Sequence, residues 1–266
     1  RSVIHASERN YTVFLNRLRA DTFDAMAASL SRNGEPTMEE AQAIARFINI
    51  ATGRGDFGRF EQTMSGLAPV FFSPRYVGSR LQLLALQPLS GGSAATKKLI
   101  AKEYGKALLG AALVATLAMA AGADLEDDPT DPDFLKLKFG STRLDFLAGL
   151  SQTAVITTRM GYGTAKTIDA LARGKTRATK YAQSEAAVAG KFLRSKLSPM
   201  ASLSLNLATG EDYVGDKVTK TKIAQDLFQP LSFRDIYDAM EEQGAPKGLS
   251  MWILSLFGVG MQTYDN

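Results

Sequence analysis

Apolar residues recur at three- and four-residue spacing along most of this chain, which predicts a protein built mainly of amphipathic helices. Tyr11, Phe14, Leu15, Leu18, Phe23, Met26 and Leu30 place the first helix over 4–30, and Asn33-Gly34 and Pro36 end it. Thr37-Met38-Glu39-Glu40 reads as a capping box that opens a second helix through Ala43, Ile44, Phe47, Ile48 and Ala51, stopped at Gly53. Ser73-Pro74 reads as an N-cap followed by proline in the first helical position. The helix it opens carries Tyr76, Val77, Leu81, Leu83, Leu84 and Leu86 and ends at Pro88. After a Gly91-Gly92-Ser93 joint, 94–123 is the longest uninterrupted helical stretch, followed by an acidic loop from Asp124 to Asp133.

The period then changes from helical to alternating. Leu135, Leu137 and Phe139 alternate with Lys136 and Lys138, Gly140-Ser141 supplies a two-residue turn, and Leu144 and Phe146 alternate with Arg143 and Asp145. Pairing across the turn sets Leu137 opposite Leu144, Leu135 opposite Phe146 and Lys136 opposite Asp145, one face apolar and one charged. Helices resume over 147–173, 181–197 and 200–208, the last stopped at Gly210. The stretch 210–219 reads as a turn or short hairpin. Ser232-Phe233-Arg234-Asp235 opens another helix, closed by Gly244, and Pro246 starts a last, very apolar one. The expected fold is mainly α: a multi-helix module with one small β-hairpin near residues 134–146. The expected division is an N-terminal helical half (1–133) ending in the acidic loop, and a C-terminal half (134–266) with the hairpin and later helices. The two together make one compact module. The chain opens on Arg1, which points to a segment cut from a longer polypeptide.

Composition narrows the chemistry. The 266 residues include no cysteine and one histidine, which excludes disulfides, thiolate metal sites and cysteine nucleophiles. His5 stands without the further ligands or triad partners that zinc or acyl-transfer chemistry needs, so it reads as a surface or packing residue. Gly53-Arg54-Gly55-Asp56-Phe57-Gly58 matches the dinucleotide fingerprint, but it follows a helix where the fingerprint needs a strand, so it reads as a helix-to-helix turn. In the acidic loop Asp124, Glu126 and Asp128 alternate, yet Pro129 stands where a calcium loop needs glycine, which favours a solvated loop. Nothing supplies an activated nucleophile, a metal site or a cofactor site, so a non-enzymatic role is expected. Paired carboxylates are the one chemistry that spacing leaves open.

Two tracts carry the functional expectations. Residues 107–123 contain no charge, and their length sits at the lower limit for a membrane span, about 17 residues. Leu108, Leu109, Leu113, Val114, Leu117 and Met119 are the candidate membrane or core residues of this helix. Its small residues favour a buried core helix, with membrane insertion the second reading. Residues 249–260 are too short to span, and Trp252, Leu256 and Phe257 are candidates for a subunit interface. Residues 166–196 hold eight basic side chains (Lys166, Arg173, Lys175, Arg177, Lys180, Lys191, Arg194, Lys196) against two acidic ones. These are the candidates for phosphate contact with DNA, with an acidic partner surface and a simple solvated face as the other readings. The net charge of +4 is mild for a dedicated DNA-binding domain. Arg75 and Arg80 flank the third helix and are expected to anchor carboxylates internally, with DNA contact the second reading.

An ordered set of segments carries a resemblance. It comprises Ala45-Arg46-Phe47-Ile48-Asn49-Ile50-Ala51-Thr52-Gly53-Arg54-Gly55 and Phe71-Phe72-Ser73-Pro74-Arg75-Tyr76-Val77-Gly78-Ser79-Arg80. Gly140-Ser141-Thr142-Arg143-Leu144-Asp145, Leu147-Ala148-Gly149-Leu150 and Lys191-Phe192-Leu193-Arg194-Ser195-Lys196-Leu197 follow. Thr209-Gly210-Glu211-Asp212 and Phe257-Gly258-Val259-Gly260-Met261-Gln262-Thr263-Tyr264 complete it. In this order they resemble the large polyvalent protein-associated domains of bacteriophages, found near the ends of very large phage polyproteins. The resemblance implies a structural or docking segment of an internal virion protein, ejected with the genome and contributing to a DNA-ejection conduit. It implies other virion proteins (portal or internal core) as partners and a homo-oligomeric assembly, with packaged DNA and the host membrane as further partners. The implied location is the virion interior, then the host cell envelope. It brings no catalytic residues. A membrane-active or DNA-binding helical segment of a phage polyprotein is the alternative.

Overall fold

The structure is a computed structural model and describes residues 2–30, 35–128, 131–147, 149–173, 178–211, 217–219, 223, 240, 244 and 259–263. Among them are eight α-helices and a four-stranded antiparallel sheet, so the mainly helical fold expected from the pattern is what the chain adopts. The chain divides into two compact units, residues 1–65 with 74–109 and residues 66–73 with 110–266.

The first unit is helical. Helix α1 (Ser2–Leu30) packs through its second half, where Phe23, Met26 and Leu30 meet the buried Ile44, Phe47 and Ile48 of α2 (Met38–Ala51). The predicted capping box is present: Glu40 N donates to Thr37 Oγ1 at 3.3 Å, and Thr37 N donates to Glu40 Oε2 at 3.0 Å. A short helix missed by the periodicity, α3 (Glu61–Gly66), precedes α4 (Pro74–Leu84). Pro74 opens α4 as predicted, but Ser73 has φ +48°, not the extended backbone of an N-cap. Helix α5 (Ala94–Ala120) starts in this unit, where Ile100 is fully buried in the same core and Tyr104 packs against it.

The glycine-rich segment after α2 is the helix-to-helix turn expected. Gly53 has φ +89°. A side chain on Gly55 would come within 2.8 Å of the Arg75 carbonyl oxygen, so α4 approaches the turn too closely for any other residue. The Asp56 amide donates to Gln82 Oε1 at 3.0 Å, and the Gln82 amide nitrogen donates back to the Asp56 carbonyl.

The second unit holds the sheet, in the order β1 (Asp124–Leu125), β2 (Leu137–Phe139), β3 (Thr142–Asp145), β4 (Gly260–Thr263). The central hairpin has the predicted register, with Leu137 opposite Leu144 and Phe139 opposite Thr142 around Gly140-Ser141. The outer pairs differ from expectation. The left-handed backbone at Leu135 (φ +65°) ends the ladder, the Glu126 amide donates to the Lys136 carbonyl at 3.0 Å, and Asp145 faces Gly260. The start of the acidic segment is therefore strand β1. That pairing places it with the sheet, so the division falls within α5 at residue 109 and not after residue 133.

The buried cluster of this unit is Ala115, Ala123, Leu137 and Leu144, joined by Phe139, Phe146, Val259 and Met261. Helices α6 (Leu150–Ala172) and α7 (Ala178–Ser195) pack along one another, and α8 (Pro199–Thr209) follows. Ser198 caps α8 by accepting from the Ala201 amide at 3.2 Å. Residues 69–72 bind to this junction: the Phe72 amide donates to the Lys196 carbonyl at 2.7 Å, and the Ser198 amide to the Val70 carbonyl at 2.8 Å. Glu211 and Lys217 form a β-bridge in the stretch expected to turn. Apart from residues 240 and 244, the helices expected over 232–244 and after Pro246 lie outside the described residues, as do the candidate interface residues Trp252, Leu256 and Phe257.

Candidate functional site

Helix α5 changes character along its length, and its sequence explains how. Its start is tied down: Ser93 Oγ accepts from the Thr96 amide at 3.2 Å and donates to Glu40 Oε1 at 2.6 Å. These contacts, with that of Thr37, hold the Glu40 carboxyl below the usual carboxylate range. Lys97, Lys98, Lys102 and Lys106 give the first half its charge. The Tyr104 hydroxyl donates to the Leu83 carbonyl at 3.2 Å, and burial pushes its pKa up to about 12.

The second half has no charge and almost no cover. Ala115 and Ala118 pack against the sheet residues, and only side chains that small let the helix approach it. The large side chains point elsewhere. Leu109, Leu113 and Leu117 are 73%, 60% and 61% exposed, and Leu108, Val114 and Met119 are exposed as well. The expectation of a buried core helix therefore fails for all six candidates. An alanine and leucine sequence forms a helix by propensity alone, so burial of its leucines is not needed to hold it. Full burial of one leucine stabilises by about 1.5–3 kcal/mol, and these side chains leave most of that unrealised.

The helix ends in a Schellman motif. Gly122 adopts φ +94°, its amide donates to the Met119 carbonyl at 2.9 Å, and the Ala123 amide donates to the Ala118 carbonyl at 3.0 Å. Ala123 and Ala118 share the sheet core, as that motif requires of its flanking apolar pair. The end of the exposed helix is thus fixed to the sheet.

The acidic segment beyond it is an ion-pair network. Glu126 pairs with Lys138, and Asp133 with both Lys136 (2.7 Å) and Arg143 (3.0 Å). The Lys138 hydrogen bond holds the Glu126 carboxyl below its usual range, and the same bond raises Lys138. Burial would raise Asp133, but the hydrogen bonds and charges of Lys136 and Arg143 outweigh it and lower the carboxyl. These oxygens are engaged by cations of the protein itself, so the solvated acidic loop of the sequence reading is in part a clamp on β2 and β3. Among the described residues no group of three His, Asp or Glu stands ready to hold a metal ion.

The basic tract is only in part an open surface. Lys191 is exposed, and Lys166 lies 4.3 Å over the Tyr162 ring. Arg173 pairs with Asp169 at 2.7 Å. Arg194 reaches Asn206 Oδ1 at 3.2 Å and the Glu211 carbonyl at 3.0 Å. Lys196 donates to Gln152 Oε1 and lies 5.3 Å over the Phe192 ring, and burial lowers its pKa despite the nearby Asp145. Arg194 thus ties the end of α7 to α8, and Lys196 ties the junction after α7 to α6. Lys175, Arg177 and the side chain of Lys180 lie outside the described residues.

Arg75 pairs with Glu61, as expected of an internal anchor. Arg80 differs: it donates to the Ala51 carbonyl at 3.2 Å and stacks 4.4 Å over the Tyr76 ring. Sequence reasoning missed Arg19, which donates to Thr52 Oγ1 at 2.8 Å across 33 residues, a separation no local pattern reveals. No protein-family model, no curated protein and no solved structure matches this chain.

Proposed function

We propose that this chain is a structural and docking segment of a phage internal virion protein, ejected with the genome, and that the uncharged half of α5 is one of its association surfaces. The ordered segments between Ala45 and Tyr264 that resemble large polyvalent protein-associated domains support the phage context. The observation that carries the association role is the exposure of Leu109, Leu113 and Leu117 on a helix whose alanines pack inward. Large apolar side chains left open on an ordered helix mark a surface that another apolar surface covers. Other virion proteins, portal or internal core, and further copies of the chain are the partners on this reading. The role is non-enzymatic, with no cofactor, and the location is the virion interior, then the host envelope.

Membrane activity is the second reading, favoured by one fact. Among the described residues, α5 is the one helix long and apolar enough to cross a membrane, with a mean hydropathy of 1.2. The 14 uncharged residues of the helix, 107–120, span about 21 Å, short of a hydrocarbon core of about 30 Å. Shallow or tilted insertion, with the lysines at headgroup level, is the geometry that length permits.

Co-purification from virions tests the first reading. Wild-type chain is expected in a stable complex with other virion proteins, and Leu113→Lys with Leu117→Lys is expected to lose it while keeping the helical content. A monomeric chain absent from virions would overturn the reading. Leakage of anionic vesicles that survives the same two substitutions would remove the membrane alternative.

A further inference from the structure

We propose that Arg19, Arg54 and Arg80 form a phosphate-binding cluster at the carboxyl end of α2, and that its ligand is the phosphodiester backbone of a nucleic acid. The three arginines come from three elements and meet at one turn. Arg19, from α1, donates through Nε to Thr52 Oγ1 at 2.8 Å and through Nη2 to the Thr52 carbonyl at 3.3 Å. Arg80, from α4, donates to the carbonyl of the preceding residue, Ala51, at 3.2 Å. Arg54 follows two residues later, its amide bonded to the Asn49 carbonyl at 2.8 Å and its side chain exposed.

None of the three meets a carboxylate among the described residues. The neighbouring acids are engaged elsewhere, Asp56 with Arg46 at 3.0 Å and Glu61 with Arg75. The carbonyls at the end of α2 offset about half a charge, which leaves most of the cationic charge uncompensated. Burial lowers the pKa of Arg19, and the charge of Arg54 lowers it further, as expected of two cations with no anion between them. A phosphate supplies what the three lack, full negative charge on several acceptor oxygens in a geometry that guanidinium matches.

Two further facts favour a nucleic acid as the source. The first unit carries 14 Lys/Arg against 9 Asp/Glu and the second 17 against 18, so the net positive charge of the chain resides in the unit that carries this cluster. A few residues on, Phe60 is exposed with the Arg59 guanidinium 5.8 Å over its ring, the kind of platform on which a base stacks. The cluster is independent of the open face of α5, so either assignment can fail without the other.

Anisotropy of a labelled mixed-sequence single-stranded oligonucleotide with the full chain tests this, with salt varied between about 50 and 200 mM. Among the described residues Arg54 has no side-chain hydrogen bond or ion pair, so Arg54→Ala is expected to leave the melting temperature unchanged. It should weaken binding about fivefold or more and reduce the salt slope by about one. Arg54→Glu should weaken it further, and Lys191→Ala, in the basic tract, should change little. Unchanged affinity in both Arg54 variants would overturn the proposal, as would an equal loss in Lys191→Ala. Protection of the Arg54-dependent site by inorganic phosphate or anionic vesicles, without oligonucleotide binding, would overturn the nucleic-acid assignment.

Discussion

Replacing Leu113 by lysine should cost this protein little stability, although leucine-to-charge changes in helices commonly unfold small domains. Leu113 is 60% exposed, so about two fifths of a full leucine burial is at stake, or about 0.6–1.2 kcal/mol. That range is an upper bound, because the unfolded chain also covers part of its apolar surface. Leucine and lysine have nearly equal helix propensity, which adds almost nothing. The expected loss is therefore under about 1 kcal/mol. Leu144 provides the comparison: it is 2% exposed in the sheet core, and Leu144→Ala should cost about 2–5 kcal/mol. Both positions lie in the second unit, so urea unfolding followed by circular dichroism reads both effects on the same transition. A loss of about 3 kcal/mol or more in Leu113→Lys would place that side chain in a core and refute the reasoning.

Three other outcomes follow from the same geometry. Gly55→Ala should destabilise the first unit by about 1–3 kcal/mol, because the new methyl meets the Arg75 carbonyl and the Ser79 amide, neither of which can move aside. An unchanged melting temperature would contradict the close approach of α4. Thr37→Ala should cost about 1 kcal/mol and speed exchange of the Glu40 amide, and no change in that exchange rate would mean the capping box is not formed. The pH dependence has a defined sign. Glu126 and Asp133 are lowered in the fold, so their contribution is complete above the ordinary carboxylate pKa and is lost as pH falls through the depressed values. Lys138 is raised, so its contribution is complete below the ordinary lysine pKa and is lost as pH rises through the elevated one. Melting temperature should thus fall more steeply in acid for wild type than for Lys138→Met, and parallel curves would rule the pairing out.

What the sequence makes legible here is local. The capping box, the proline start of α4, the glycine stop at Gly210 and the Leu137–Leu144 register of the central hairpin are each specified within a few residues, and each is present. What it hides is of two kinds. Strand β4 pairs with β3 from more than a hundred residues away, and β1 is two residues long, so neither leaves a periodic signature. The Arg19–Thr52 contact is hidden for the same reason. The second half of α5 is hidden differently. Its alanines and leucines offer no polar contrast around the helix, so the pattern that identifies it as apolar cannot say which side is covered. Size decides it: the alanines allow the approach to Leu137 and Leu144, and the leucines are left outside.

The protein contains no cysteine, so a single substitution creates a unique reporter on that surface. Leu113→Cys, treated with a water-soluble thiol reagent, measures directly whether the large-residue side of α5 is open. The expected result is labelling at nearly the rate of the urea-unfolded chain when the protein is alone, and strong protection once the proposed virion partners are added. Leu144→Cys, in the sheet core, should be protected in both states. Protection of Leu113→Cys in the isolated protein would show a covered helix and contradict an association surface at this position.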